Sequence, residues 1–205
     1  MYRASDGQSS PRWRGILLSL GLLFAGMAGA ESWDFFTAPA TSAPPRDRIA
    51  TMTQLEFLGK TYQRRFNGVE EGVGIWQFFQ QQEWAWNWLE RMEIRAYPAT
   101  GVTPIERATE TAKALKQANP KARFALFKDP GGKQAMVDYV TWSEKVPNTI
   151  EFNAIKFFWG AEGQGVLSLR YVKRIPTKGR EQREVAREVN ATRKPVIDAL
   201  VAWSP

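Results

Sequence analysis

Seven carboxylates stand where acid–base work could be done: Glu70, Glu71, Glu83, Glu90, Glu93, Asp138 and Glu151. Two such groups, held about 5–9.5 Å apart across a sugar, can cleave a glycosidic bond as acid and base or nucleophile. The same residues also serve as solvated charges or surface ion pairs. Glu93 stands between Arg91 and Arg95 on one parity of an alternating stretch, Asp138 falls mid-strand and Glu151 opens a strand. The chain has no His and no Cys. Ser-His and Cys-His nucleophile pairs are therefore absent, as are redox thiolates and the usual zinc and haem ligands. It contains no GxxxxGK[ST] phosphate loop and no GxGxxG following a strand, and no loop carries the alternating acidic spacing of a calcium site. No metal or cofactor is expected, and a non-enzymatic protein is the first expectation. A carboxylate-dependent hydrolase of cell-wall or polysaccharide material is the alternative.

Binding chemistry is better supplied. Nine tryptophans occur, four of them in residues 74–98. Aromatic rings can stack on sugars or bases, or simply fill a core. Trp84 and Trp86 lie two apart in the turn between two strands, where burial is hard to achieve, and are candidate contact residues. Nine basic residues fall between Arg170 and Lys194 against three glutamates. Such a stretch can dock on an acidic protein surface or an anionic lipid. Arg180, Arg183 and Arg187 are its candidate contacts, although Glu184 and Glu188 interleave with them at helical spacing, as on a self-paired solvated face.

The N-terminus indicates where this chemistry operates. Arg12 and Arg14 precede an apolar run over 16–30 that ends in Ala28-Gly29-Ala30, the pattern of a secretory signal peptide cleaved near Ala30. The run is shorter than the roughly 20 residues needed to span a bilayer, so no transmembrane anchor is expected in the mature chain. Removing residues 1–30 takes away three arginines and one aspartate, and the net charge falls from +7 to +5. The protein is expected in the periplasm or secreted, with an envelope protein or an anionic lipid surface as partner and no nucleic acid.

The elements that must position these residues follow in order. Residues 31–51 read as an extended Pro/Ala/Thr-rich segment preceded by Trp33, Phe35 and Phe36. Residues 52–205 read as one α+β domain. A strand is expected from about Lys60 to a turn at Asn67-Gly68, and another over 72–79. Over 88–97 the alternation puts Trp88, Glu90, Met92, Ile94 and Ala96 on a buried face, and Leu89, Arg91, Glu93, Arg95 and Tyr97 on a wet one. Thr103-Pro104-Ile105-Glu106 is a capping box with proline at the first helical position, and its helix ends at Asn119-Pro120. Strands over 122–128, 134–142, 150–159 and 165–175 follow. The last helix spans 180–203, with Pro195 expected to kink or split it. The sum is a single antiparallel sheet of about six or seven strands packed by two helices. This order of elements resembles, in outline only, the PsbP-like sandwiches, and the resemblance implies a fold and no function.

Overall fold

The computed structural model describes residues 46–120, 122–143, 145–161 and 164–203. Their chain order is α1 (Arg46–Thr51), β1 (Gln54–Phe57), β2 (Lys60–Glu70), β3 (Val73–Gln80), β4 (Glu90–Ala96), α2 (Pro104–Ala118), β5 (Phe124–Lys128), β6 (Gln134–Trp142), β7 (Thr149–Trp159), β8 (Val166–Pro176) and α3 (Gln182–Ala202). The eight strands form one antiparallel sheet in the order β1-β2-β3-β4-β8-β7-β6-β5. Two four-stranded meanders thus meet along the β4–β8 seam. The polypeptide leaving β4 crosses the sheet through α2 to reach the far edge at β5, then returns strand by strand to the centre.

One face, here the closed face, carries the main core. Phe78, Met92, Ile94, Leu169, Tyr171, Phe152 and Met136 project there, beneath Val185, Val189, Val196, Ile197 and Leu200 of α3 and Ile49 of α1. On the opposite face α2 lies over β5, β6 and β7. Its small residues Ala108 and Ala112 are buried, and Ala108 packs with Ala135, Val137, Ile155 and Phe157. The remaining half of that face, over β3, β4 and the start of β7 and end of β8, has no helix on it. It is the open half-face.

The boundaries have local causes. Thr103 Oγ1 accepts from the Glu106 N–H at 3.2 Å while the Thr103 N–H donates to Glu106 Oε2 at 2.7 Å, so the expected capping box is formed in full. The β2–β3 turn falls at Glu71-Gly72, both at positive φ (49° and 78°), as a two-residue type I′ hairpin requires. The turn expected at Asn67-Gly68 is not there. Strand β2 runs through both residues, and a bulge between Arg64 and Phe66 resets its register instead.

Further differences from the sequence reading concern counts and facing. Three helices form rather than two, because residues 46–51, expected as extended chain, make α1 and seat Ile49 in the core at 0% exposure. Eight strands form rather than six or seven, the additional edge strand being β1. Pro195 lies inside α3, which runs unbroken from Gln182 to Ala202, so the helix is not split. Trp88 does not share the face of Met92 and Ile94. Strand β4 begins only at Glu90, and the preceding loop turns the indole onto the open half-face, against Phe79 and Val172. The parity of Met92, Ile94 and Ala96 against Arg91, Glu93 and Arg95 is as expected, but the polar side is not wet at its centre: Glu93 is 1% exposed. Residues 1–45, which include the expected signal peptide and Trp33, Phe35 and Phe36, lie outside the described residues.

Candidate functional site

The β4–β8 register builds the open half-face. Glu93 of β4 pairs with Arg170 of β8 on one side and with Gln77 of β3 on the other, Arg91 lies between Phe79 and Val172, and Arg95 between Ile75 and Ser168. Glu93 is buried beneath the side chains around it, and a buried carboxylate must be satisfied by its neighbours. Gln77 Nε2 donates to Glu93 Oε2 at 2.8 Å and Arg95 Nε to Oε1 at 2.7 Å. Arg170 and Arg91 add ion pairs at 3.7 and 3.8 Å. Burial alone would raise the Glu93 pKa. Arg170, Arg91 and Arg95 together outweigh it and hold the carboxyl below its ordinary value.

Around this centre the polar groups are linked. Arg170 donates through Nε and a terminal nitrogen to Asn153 Oδ1 at 3.1 and 2.6 Å, and Asn153 Nδ2 donates to the Glu151 carbonyl. Glu151 Oε1 accepts from Arg174 Nε at 3.1 Å and from Ser143 Oγ at 2.9 Å. The Trp88 ring has the Arg174 guanidinium 3.7 Å from its centroid and that of Arg91 at 4.8 Å. Arg91 is the least satisfied of the set. Its Nε is buried with no hydrogen-bond partner, and burial lowers its pKa.

At one end of the sheet the loop of residues 81–89 carries the tryptophans anticipated as contact residues. Glu83 Oε1 accepts the Leu89 N–H, and Asn87 Oδ1 accepts the Trp84 N–H, both at 2.8 Å, which fixes the loop. Trp84 and Trp86 stack with centroids 5.5 Å apart and planes within 10°, and Arg65 lies 4.7 Å over Trp84. Trp84 is 44% exposed and Trp86 74%.

The basic candidates are divided. Arg180 donates to Glu188 Oε2 at 2.8 Å and to the Pro176 carbonyl. Arg183 and Arg187 are exposed on α3 and have no ion pair among the described residues. The cation beside the tryptophan pair is Arg65 of β2, not one of the α3 arginines.

The seven carboxylates do not gather into one cluster, although Glu83 and Glu90 both act on Tyr62 and Tyr171. Glu70 and Glu71 are exposed at the β2–β3 turn. Glu90 faces the closed side, where Lys60 and Tyr62 donate to it at 2.8–2.9 Å, and burial followed by Glu90 raises the pKa of Tyr62 and of Tyr171. Asp138 also faces the closed side, paired at 2.7 Å with Arg193 of α3; burial raises its pKa against the pull of that arginine. Glu93 and Glu151 share the open face but lie two strands apart and four residues out of step along β8. That offset separates their backbones by about 16 Å from ordinary strand spacings, and each already has its own arginine. Among the described residues no cluster of three or more metal-ligating side chains occurs.

Sequence reasoning missed Arg170, Gln77 and Asn153 as members of the Glu93 network. The alternation over 88–97 and over 165–175 sets each residue's parity, but only the pairing of β4 with β8, strands about 75 residues apart in the chain, sets Arg170 opposite Glu93.

The fold and this face define an α+β sheet domain with a half-open, arginine-lined face. The chain belongs to a protein family whose model matches residues 49–204, which begins at the buried Ile49 and takes in all eight strands. No curated protein and no solved structure matches it. No helix among the described residues is long and apolar enough to cross a membrane.

Proposed function

We propose that this is an exported, non-enzymatic binding module: a periplasmic accessory protein of an envelope assembly that meets its partner through an aromatic and basic surface. The observation that carries the reading is the stacked pair Trp84–Trp86, fixed on a hydrogen-bonded loop yet 44% and 74% exposed, with Leu89 of the same loop at 56%. A fold gains nothing from holding three large apolar side chains in water, whereas a contact surface does. The partner best matched is an anionic lipid surface. Tryptophans settle at the level of the headgroups, and each basic residue near such a surface adds about 1 kcal/mol. Arg65, Arg180, Arg183 and Arg187 are the candidate basic contacts. Export rests on the 12–30 segment.

Flotation with vesicles tests this. The wild type is expected to float with vesicles containing an anionic lipid and not with neutral ones. Trp84→Ala and Trp86→Ala should each reduce flotation at every salt concentration, and replacing Arg180, Arg183 and Arg187 by Gln should reduce it at low salt only, because the screening length is about 8 Å at physiological ionic strength. Flotation indifferent to lipid charge, salt and all these substitutions would sink the reading. Capture of an acidic envelope protein by the same surface, with no vesicle binding, would move the partner from lipid to protein. Mass spectrometry of the protein from its host should find Glu31 as the first residue.

The alternative, a carboxylate-dependent hydrolase of cell-wall or polysaccharide material, would on the open face use Glu93 and Glu151. Their separation of about 16 Å by strand geometry and their arginine partners speak against it.

A further inference from the structure

The Glu93 network holds more positive charge than its own carboxylates neutralise. Glu151 answers Arg174, at 3.1 Å. Glu93 is the one carboxylate in ion-pair contact with Arg91, Arg95 and Arg170, and Glu70 acts on Arg95 from farther off, so positive charge remains in excess around it. Their donors are not consumed either. Arg95 reaches Glu93 through Nε, Arg170 spends Nε and one terminal nitrogen on Asn153 and holds the other only 3.7 Å from Glu93, and Arg91 has a buried Nε with no acceptor and only a 3.8 Å ion pair. The three side chains are 17%, 35% and 22% exposed for Arg91, Arg95 and Arg170, so each keeps part of its surface open on the half of the face that α2 leaves uncovered.

Partly buried guanidiniums gathered from two strands, with spare donors and an excess of positive charge, suit a polyoxygen anion better than a single carboxylate. A phosphate monoester carries about −1.5 to −2 at neutral pH and offers three acceptor oxygens, and arginine forks bond such oxygens in pairs. Glu93 lies beneath, pre-orienting the arginines so that less side-chain freedom is lost on binding. We infer that the open half-face is a binding site for a phosphate group, held by Arg91, Arg95 and Arg170 over the buried Glu93. This inference does not depend on the tryptophan loop's binding lipid. The two surfaces use different residues, and either can fail alone.

The test is calorimetry on the full mature protein with inorganic phosphate, glycerol phosphate and acetate, each at one matched ionic strength set with chloride. Phosphate should bind and acetate should not. Arg91→Gln should weaken phosphate binding at least tenfold, and Arg91→Lys, which keeps the charge and loses the fork, should fall between. Arg183→Gln, exposed on α3, should stay within twofold of wild type. Circular dichroism melts on each variant separate lost binding from lost folding, and Arg91→Lys carries the test if Arg91→Gln unfolds. Glycerol phosphate binding tenfold tighter than inorganic phosphate would identify an ester as the natural ligand, and equal binding would identify the free anion; both support the site. Acetate binding as well as phosphate, or a folded Arg91 variant binding like wild type, overturns it.

Discussion

Replacing Glu93 by alanine removes the one carboxylate that three guanidiniums share. The oxygens lost accept from Gln77 at 2.8 Å and Arg95 at 2.7 Å and pair with Arg170 and Arg91 at 3.7 and 3.8 Å. Breaking a fully buried ion pair by deleting one partner costs about 3–5 kcal/mol, because the surviving charge stays buried. Here the surviving arginines keep some access to water, and Arg95 is a third exposed. Its share is discounted as a largely screened pair, worth at most about 1 kcal/mol. Arg91 and Arg170, less exposed and now repelling each other, carry the rest, and the expected loss is about 2–4 kcal/mol. Urea melts followed by tryptophan fluorescence would measure it. A second reading of the same carboxyl comes from pH. Its pKa is lower in the folded state than in the unfolded chain. The unfolded state therefore binds the proton first as pH falls, so the stabilisation is complete above the ordinary glutamate value of 4.5 and disappears as pH drops below it. Glu93→Gln, which keeps the shape and the Gln77 contact, should flatten that acid limb. A Glu93→Ala loss below about 0.5 kcal/mol, the level of an ordinary surface change, would refute the buried network. It would restore the wet face that alternation alone suggests.

Ile94→Ala, one residue along on the closed face at 0% exposure, should leave a cavity costing about 2–5 kcal/mol in the same melts. Equal costs at 93 and 94 are thus compatible with two different causes, and the pH dependence at 93 tells them apart. Thr103→Ala should lose about 1 kcal/mol of stability through the missing N-cap, and Thr103→Ser should restore most of it. Lys156, 6% exposed, donates to the Val201 and Trp203 carbonyls at the end of α3, while burial pushes its pKa down to about 8 from 10.5. Between those values the unfolded chain holds the proton that the folded state has released, so stability should rise with pH through this window. The two carbonyls oppose the shift, which leaves about 1–3 kcal/mol. Subtracting a Lys156→Met profile, measured between pH 7 and 9.5, isolates this slope, and parallel profiles would refute it.

The legible parts of the fold are those whose cause is local. The capping box at Thr103 needs four adjacent residues. Strand β6 begins and ends where composition puts it. The misplaced features have distant causes. Asn67-Gly68 is a turn signal in isolation, but β3 continues alongside as far as Val73 and holds both residues in the ladder. Residues 46–48 carry the charges of a tail, yet one buried isoleucine on the next turn ties the segment to the core. Trp88 shows the limit of parity: one loop residue out of register turns an indole to the opposite face, where Arg174 and Phe79 receive it.

The same limit explains why the arginine face was hidden. Alternation reports that a strand has two unlike faces, and a polar face is read as wet because most sheets have helices on one side only. In this sheet the strand with the polar parity is at the centre, fourth of eight, and its neighbours on both sides are polar at the facing positions, Gln77 and Arg170. Long side chains on three adjacent strands then cover one another, and the shortest of the charged ones, Glu93, ends buried beneath them. A helix laid over this half would have to desolvate at least four guanidiniums, a cost measured in several kcal/mol each. Helix α2, apolar through Ala108 and Ala112, instead lies over β5–β7, where Val137, Ile155 and Phe157 face it. The face is open for the same reason that it is charged. What holds α2 to one half of this face leaves the arginines facing outward from the other half.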